Sequence, residues 1–392
     1  MKKASFHFAR RLALVVGSVA LAAPWAPAAV AQESIKVGII APMSGPFGSY
    51  GQKFLNSAKA YQKIHGESVA GRKVELVVRD NSTNTPDMAK RLAQELVSRD
   101  KVDFLSGFAL TSDALAVAPL AVQTQTPMVL MLAATAGVTQ KFPFVTRASY
   151  TNRQISMPMG EWAIKNGLKK VYLLASDYAP GAESTEAFEK TFKEKGGEIV
   201  GSVKVPLQNL DFSAYVQRIK DAKADAVFTF LPSGEPMGSF MKSFEQRGLA
   251  AAGVKVLAAT DISPEYLRPM GDAALSLINT GIYYETLDNP ESKAYQAAFQ
   301  ALAGQPAGLI ALGGFDALGV IYEVTRKLNG DLSDKAKVMA SMKALTIRSP
   351  RGAFTIDPET RGVVQTVYIA KVEKRKGVLV PVVVDRFDNT HD

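Results

Sequence analysis

The chain of 392 residues contains no cysteine, which removes disulfides, thiol nucleophiles and thiolate metal sites. Histidine is almost as scarce: of three, only His65 and His391 lie beyond residue 31. A Ser-His-Asp device therefore has no ready base. G-x-S-x-G, H-E-x-x-H, G-x-x-x-x-G-K-[ST] and G-x-G-x-x-G are also missing. Carboxylate pairs stay open as a catalytic device only because Asp and Glu are plentiful; the chain is expected not to be an enzyme. No stretch approaches the roughly 20 apolar residues that a membrane helix needs. The longest candidate, residues 12–23, is cut short by Pro24 and Pro27.

That apolar run follows Lys2, Lys3, Arg10 and Arg11 and ends in Ala29-Val30-Ala31. This is the layout of a cleaved export signal. Residues 1–31 are thus read as a signal peptide and set aside. The remainder carries 42 basic and 37 acidic residues, a net of +5 without any dense run, so no nucleic-acid groove is expected. A mature chain without cysteine has no N-terminal thiol for a lipid, and the expected product is a periplasmic protein, not a lipoprotein.

What is present is an alternation of short apolar runs and helical patterns, which predicts an α/β fold with parallel sheets covered on both faces. Strands are expected at 35–40, 74–79, 103–108, 128–133 and 144–148. Helices are expected at 47–65 and 88–98, with a turn and cap over Asn81-Ser82-Thr83-Asn84-Thr85-Pro86-Asp87. A second series follows: helix 152–166, strand 170–177, helix 183–195 and strand 198–205. The stretch 74–107 resembles 199–231, each running strand, turn, helix, then an Asp-led strand at Asp103 or Asp225. Duplication and coincidence both account for this. Segments 277–285, 290–302 and 309–328 lack the strands for a third domain and are expected to return to the first lobe. The β-rich stretches 351–356, 363–372 and 377–385 predict an antiparallel closing ribbon.

Open α/β sheets bind ligands beyond the C-terminal ends of their strands. Those ends carry hydroxyl, glycine and aromatic residues here. After the first strand come Ser44, Gly45, Phe47, Gly48, Tyr50 and Gly51; after the third, Thr111, Ser112 and Asp113; after the fourth, Ala133, Ala134, Thr135 and Ala136. Such residues offer hydroxyls and free N–H groups to a carboxylate, although each group alone also reads as an ordinary turn or helix cap. In the second series Tyr178 is placed to cover an apolar ligand body, or is a half-buried loop aromatic. Ser233 stands at an equivalent strand end. Asp261 is either an acceptor for a ligand ammonium or a helix cap. Tyr283 and Phe315 are within reach of the cleft, with core packing the alternative, favoured for Phe315.

Ile35-Lys36-Val37-Gly38 leading to Met43-Ser44-Gly45-Pro46 and Tyr50-Gly51, then Gly107, Ala133-Ala134-Thr135, Tyr178-x-x-Gly181 and Arg351-Gly352-x-Phe354-x-x-Asp357 resemble the periplasmic leucine/isoleucine/valine-binding proteins of ABC transporters. The likeness spans nearly all of the chain after residue 31. It implies two Rossmann-like lobes of the type I periplasmic-binding class, joined by three crossovers with the ligand cleft between them. Lobe 1 would comprise 32–148 and 281–355, lobe 2 149–280 and 356–392. It implies capture of a small carboxylate, a branched-chain or other hydrophobic amino acid or an aromatic acid, by hinge closure, and delivery to a membrane permease with its ATPase. A periplasmic sensor for a signalling partner is the alternative. The carboxylate would sit on Thr111 or Ser112 with Ala133 and Thr135, Tyr178 would close over it, and an ammonium, where present, would meet an acid near Asp261. No cofactor is required, and the chain is expected to be a monomer.

Overall fold

The structure, a computed structural model, describes residues 33–45, 47–82, 85–207 and 211–392. The proposed signal segment and Thr83 and Asn84 of the expected turn lie outside the described residues. The first sheet is built from β1 (Ile35–Ala41), β2 (Ser68–Val69), β3 (Arg72–Asp80), β4 (Phe104–Gly107), β5 (Met128–Leu130) and β6 (Val145–Arg147) in the order β2-β3-β1-β4-β5-β6. The second contains β7 (Lys170–Ser176), β8 (Glu198–Val205), β9 (Ala226–Phe230), β10 (Lys255–Ala258), β11 (Leu277–Gly281), β12 (Thr346–Ile347), β13 (Phe354–Ile356), β14 (Val363–Arg375) and β15 (Val378–Thr390). Its order is β12-β13-β14-β11-β10-β9-β7-β8, with β15 also paired to β14. Twelve α-helices cover these sheets among the described residues: α1 (Gly48–His65), α2 (Pro86–Ser98), α3 (Thr111–Gln123), α4 (Val138–Lys141), α5 (Asn152–Lys165), α6 (Ala179–Glu194), α7 (Ser213–Asp221), α8 (Glu235–Gln246), α9 (Pro264–Leu267), α10 (Pro290–Ala303), α11 (Leu309–Lys327) and α12 (Lys335–Met342).

The parallel parts of the two sheets correspond strand for strand. β3-β1-β4-β5-β6 matches β8-β7-β9-β10-β11, and every neighbouring pair in both runs is parallel. Apart from Lys36, β1 is apolar because helices cover both of its faces, and Ile35, Val37, Ile39 and Ile40 are all buried. The likeness between 74–107 and 199–231 has a physical counterpart. Asp103 accepts the Lys36 N–H at 3.0 Å, and Asp225 accepts those of Lys169 and Lys170 at 2.8 Å. In each unit a carboxylate thus pins the strand that begins beside it. A second shared device is glycine near the start of the helix after the first strand. A Cβ on Gly51 would stand 2.0 Å from the Pro42 carbonyl oxygen, and one on Gly181 2.2 Å from that of Ser176.

Some boundaries differ from the sequence expectation. Helix α6 begins at Ala179 rather than 183, because Pro180 occupies the first turn, where its missing N–H costs nothing. The segment expected to return whole to the first lobe is divided: α10 and α11 pack on α1, whereas β11 pairs between β10 and β14 of the second sheet. Its five residues are all buried, which suits an interior strand. The closing ribbon is β14 and β15, antiparallel along their length with two register shifts.

The chain passes between the sheets at 148–151, after β11, and again through the segment holding β12 and β13. Arg351 ties these passages together. Its guanidinium donates to the Ala148 and Ser149 carbonyls at 2.6 and 3.3 Å and forms an ion pair with Asp316 of α11 at 3.1 Å, both side chains being buried. Its own carbonyl accepts the Tyr368 hydroxyl at 2.8 Å. Asn289 donates to Pro350 at 3.0 Å and brings in the remaining passage. Trp162, on α5, is buried beneath the second sheet's ribbon, with the Lys371 ammonium 5.8 Å from its ring.

Candidate functional site

A cavity with about 940 Å³ of atom-free space, its open mouth included, lies among the C-terminal ends of strands from both sheets. First-sheet elements contribute Phe47, Tyr50, Leu110, Thr111, Leu132 and Ala134; second-sheet elements contribute Tyr178, Phe230, Leu231, Ser233, Thr260 and Asp261. Tyr150 and Asn152 reach it from the first passage, and Leu309 and Ile310 from the start of α11. The walls are mainly apolar, and among the described residues no Lys, Arg or His lines them.

Three phenols face this space. Tyr50, Tyr150 and Tyr178 have no hydrogen-bond partner for their hydroxyls among the described residues, and burial pushes the pKa of each upward. They stay neutral over the working range of pH and present O–H donors. Phe47 packs edge to face on Tyr50 at 5.6 Å, and Tyr178 leans on Phe230 at 6.2 Å. Helix α3 adds the N–H groups of its first turn, which no carbonyl in the helix can take up, at the positive end of its dipole.

Of the residues singled out in the sequence, Phe47, Tyr50, Thr111, Ala134, Tyr178, Ser233 and Asp261 all line the cavity. The others do not. Ser44 donates to Asp80 at 3.1 Å on the exposed side of its loop. Ser112 turns towards Asp113, and Ala133 is wholly buried. Thr135 lies behind Thr111, accepting its hydroxyl at 3.0 Å. Tyr283 is buried away from the cavity, bonded to Ser292 at 3.0 Å and Gln296 at 2.7 Å and packed on Tyr295. Phe315 is core, packed edge to face on Tyr61 and tilted against Tyr295. Tyr150 and Asn152 escaped the sequence reading although they follow β6 as the other candidates follow their strands; that position was the available signal.

Asp261 is 2% exposed, and its carboxylate is committed to backbone. One oxygen accepts the Ser263 N–H at 2.9 Å and the other the Ile310 N–H at 3.0 Å. Ile310 is in the first turn of α11, so this acid caps a helix that packs on the first sheet's α1. Gly308 admits the approach: a Cβ there would stand 2.6 Å from Asp261 Oδ1. Ser233 and Thr260 share a hydrogen bond of 2.7 Å, and Asn279 holds Thr260 from beneath.

Residues 34–377 match the family model described as periplasmic binding protein. The chain belongs to the periplasmic binding protein family. Within it, this binding protein falls among the branched-chain amino acid type: it is 39% identical over 365 residues, 92% of each chain, to a Brucella abortus (strain 2308) protein named Leu/Ile/Val-binding protein homolog 6. Among solved structures it resembles an ABC-transporter solute-binding protein of Rhodopseudomonas palustris BisB5 in complex with 3,4-dihydroxybenzoic acid, at 43% identity and a TM-score of 0.86, covering 92% of this chain and 98% of that one. A counterpart from Rhodopseudomonas palustris HaA2 holding p-hydroxybenzoic acid is 38% identical with a TM-score of 0.86, covering 91% and 98%. The two-sheet architecture of this binding protein is therefore the type I fold, with the cavity between its lobes.

Proposed function

We propose that this protein captures an aromatic carboxylate in the periplasm by hinge closure and delivers it to the permease and ATPase of an ABC importer. Residues 1–31 serve as its export signal. The lobes comprise 32–148 with 281–355 and 149–280 with 356–392, β12 and β13 being the part of lobe 1 that hydrogen-bonds onward to β14. The observation that carries the ligand class is the commitment of Asp261: the only acid lining the cavity among the described residues already holds two backbone N–H groups. An amino acid's ammonium meets no free carboxylate there. A carboxylate, by contrast, meets neutral phenols and the α3 N-terminus, the donors such a group needs without a counter-ion. Phe47, Tyr178 and Phe230 cover a flat ring, and the solved relatives that hold hydroxybenzoates support the same class.

Thermal unfolding with benzoate, 4-hydroxybenzoate, 3,4-dihydroxybenzoate, leucine, isoleucine and valine tests this reading. A ligand at a hundred times its Kd stabilises by about 2.7 kcal/mol. The aromatic acids are expected to raise Tm, and the amino acids to leave it unchanged. Stabilisation by leucine but not by any aromatic acid would refute the assignment.

A further inference from the structure

Arg147, at the end of β6, is 1% exposed, yet no carboxylate among the described residues lies within ion-pair distance of it. Its guanidinium bonds only to carbonyls: Nη1 to Ala133 and, at 3.0 Å, to Tyr150; Nη2 to Thr135 at 2.7 Å. Its Nε has no partner among the described residues. A buried cation without a directly bonded anion is costly unless an anion shares its field.

The carbonyls it takes show where that field goes. In a trans peptide the C=O and N–H point in opposite directions, so a cation on the oxygen side strengthens the donor on the other side. The Thr135 carbonyl belongs to the same peptide as the Ala136 N–H, and that N–H donates to a carboxylate, Glu183 Oε1, at 2.7 Å. The Ala133 carbonyl belongs to the same peptide as the Ala134 N–H. Ala134 lines the cavity, and its N–H has no partner among the described residues. One peptide charged by Arg147 already holds an anion; the other opens on the ligand site. The acids in Arg147's field are Glu183, otherwise bonded by Asn152 at 3.1 Å, and Asp392, which accepts the Thr151 hydroxyl at 2.8 Å.

We propose that Arg147 is the positioning residue that makes the site select anions over neutral isosteres, acting through the Ala133–Ala134 peptide without touching the ligand. The inference rests on the aromatic-carboxylate reading and adds the source of its charge preference. Its measure is the ratio of the Kd of 4-hydroxybenzamide to that of 4-hydroxybenzoate, by calorimetry at pH 8. Arg147→Gln is expected to lower this ratio tenfold or more. Glu183→Gln, which removes a negative charge from the same field and leaves Arg147 in place, is expected to raise it threefold or more; it decides the matter alone should the first variant fail to fold. Equal weakening of both ligands by Arg147→Gln, or an unchanged ratio in Glu183→Gln, would overturn the proposal. Wild-type protein that binds neither the acid nor the amide would overturn both it and the functional reading.

Discussion

On the proposed hinge closure, Lys53 offers a way to weaken capture without altering the cavity. It projects from α1 on the first-sheet side, is buried, and donates to the Tyr266 hydroxyl at 2.8 Å; its ammonium lies 2.9 Å from Glu265 Oε2 and 4.3 Å from the Tyr266 ring centroid. Glu265 and Tyr266 belong to α9, which follows β10 of the second sheet, and none of the three lines the cavity. A hydrogen bond from a charged donor contributes about 1.5–3 kcal/mol and the ring contact about 0.5–2 kcal/mol. Glu265 is a third exposed, so its ion pair adds only about 0–1 kcal/mol. Desolvating the ammonium offsets part of this sum. For Lys53→Met we take a net loss of about 1.5–3 kcal/mol in the preference for the closed arrangement, roughly 10- to 150-fold in that equilibrium. Because apparent affinity scales with the competent fraction, the Kd for an aromatic acid is expected to rise by about tenfold or more. Titration calorimetry reads this directly, and small-angle scattering should show a larger radius of gyration without ligand and the wild-type value at saturation. A Kd within twofold of wild type would show that this contact does not hold the halves together.

Glu285, after β11, is buried with Oε1 lacking a partner among the described residues, and burial pushes its pKa up to about 8. The folded state therefore keeps a proton that the unfolded state has lost between pH 4.5 and 8. Its stabilising contribution is full below pH 4.5 and disappears as pH rises through 8, by at most about 5 kcal/mol. Glu285→Gln should thus gain Tm over wild type as pH rises from 5 to 8.5; a constant difference refutes this. Tyr150→Phe should weaken 4-hydroxybenzoate binding by about 1.5–3 kcal/mol, a lost bond to a charged group, and unchanged calorimetric affinity would remove that residue from the site. Gly308→Ala drives a methyl group into Asp261 and Ser263 and should cost about 1–3 kcal/mol of stability by denaturant unfolding; a wild-type midpoint would show that the loop yields freely.

The parallel layers were legible because burial on both faces leaves nearly continuous apolar runs, as in β1, and because Asp103 and Asp225 mark the same point in both units. The strand at Glu198–Val205 has the bounds its sequence predicts. Helix starts were less legible: Pro180 reads as a breaker until its first-turn position is known. At the site, residues at strand ends could be listed, but not the direction in which each side chain points. Thr111 and Thr135 look equivalent in sequence, yet one faces the cavity and the other supports it. The role of Asp261 depends on Ile310, 49 residues away, and no local pattern foretells that α11 brings its first turn there. Arg147 was invisible for a similar reason, since three carbonyls converge on it only in the folded chain.

The position of Trp162 decides which optical signal will follow ligand uptake. It is the only tryptophan beyond residue 31, sealed under β14 and absent from the cavity lining. Its emission should therefore hardly respond to occupancy, and a flat fluorescence titration would be no sign of an empty protein. The chromophores that line the cavity are Tyr50, Tyr150 and Tyr178, so ultraviolet difference absorbance, or a tryptophan introduced at Phe47, is the better reporter.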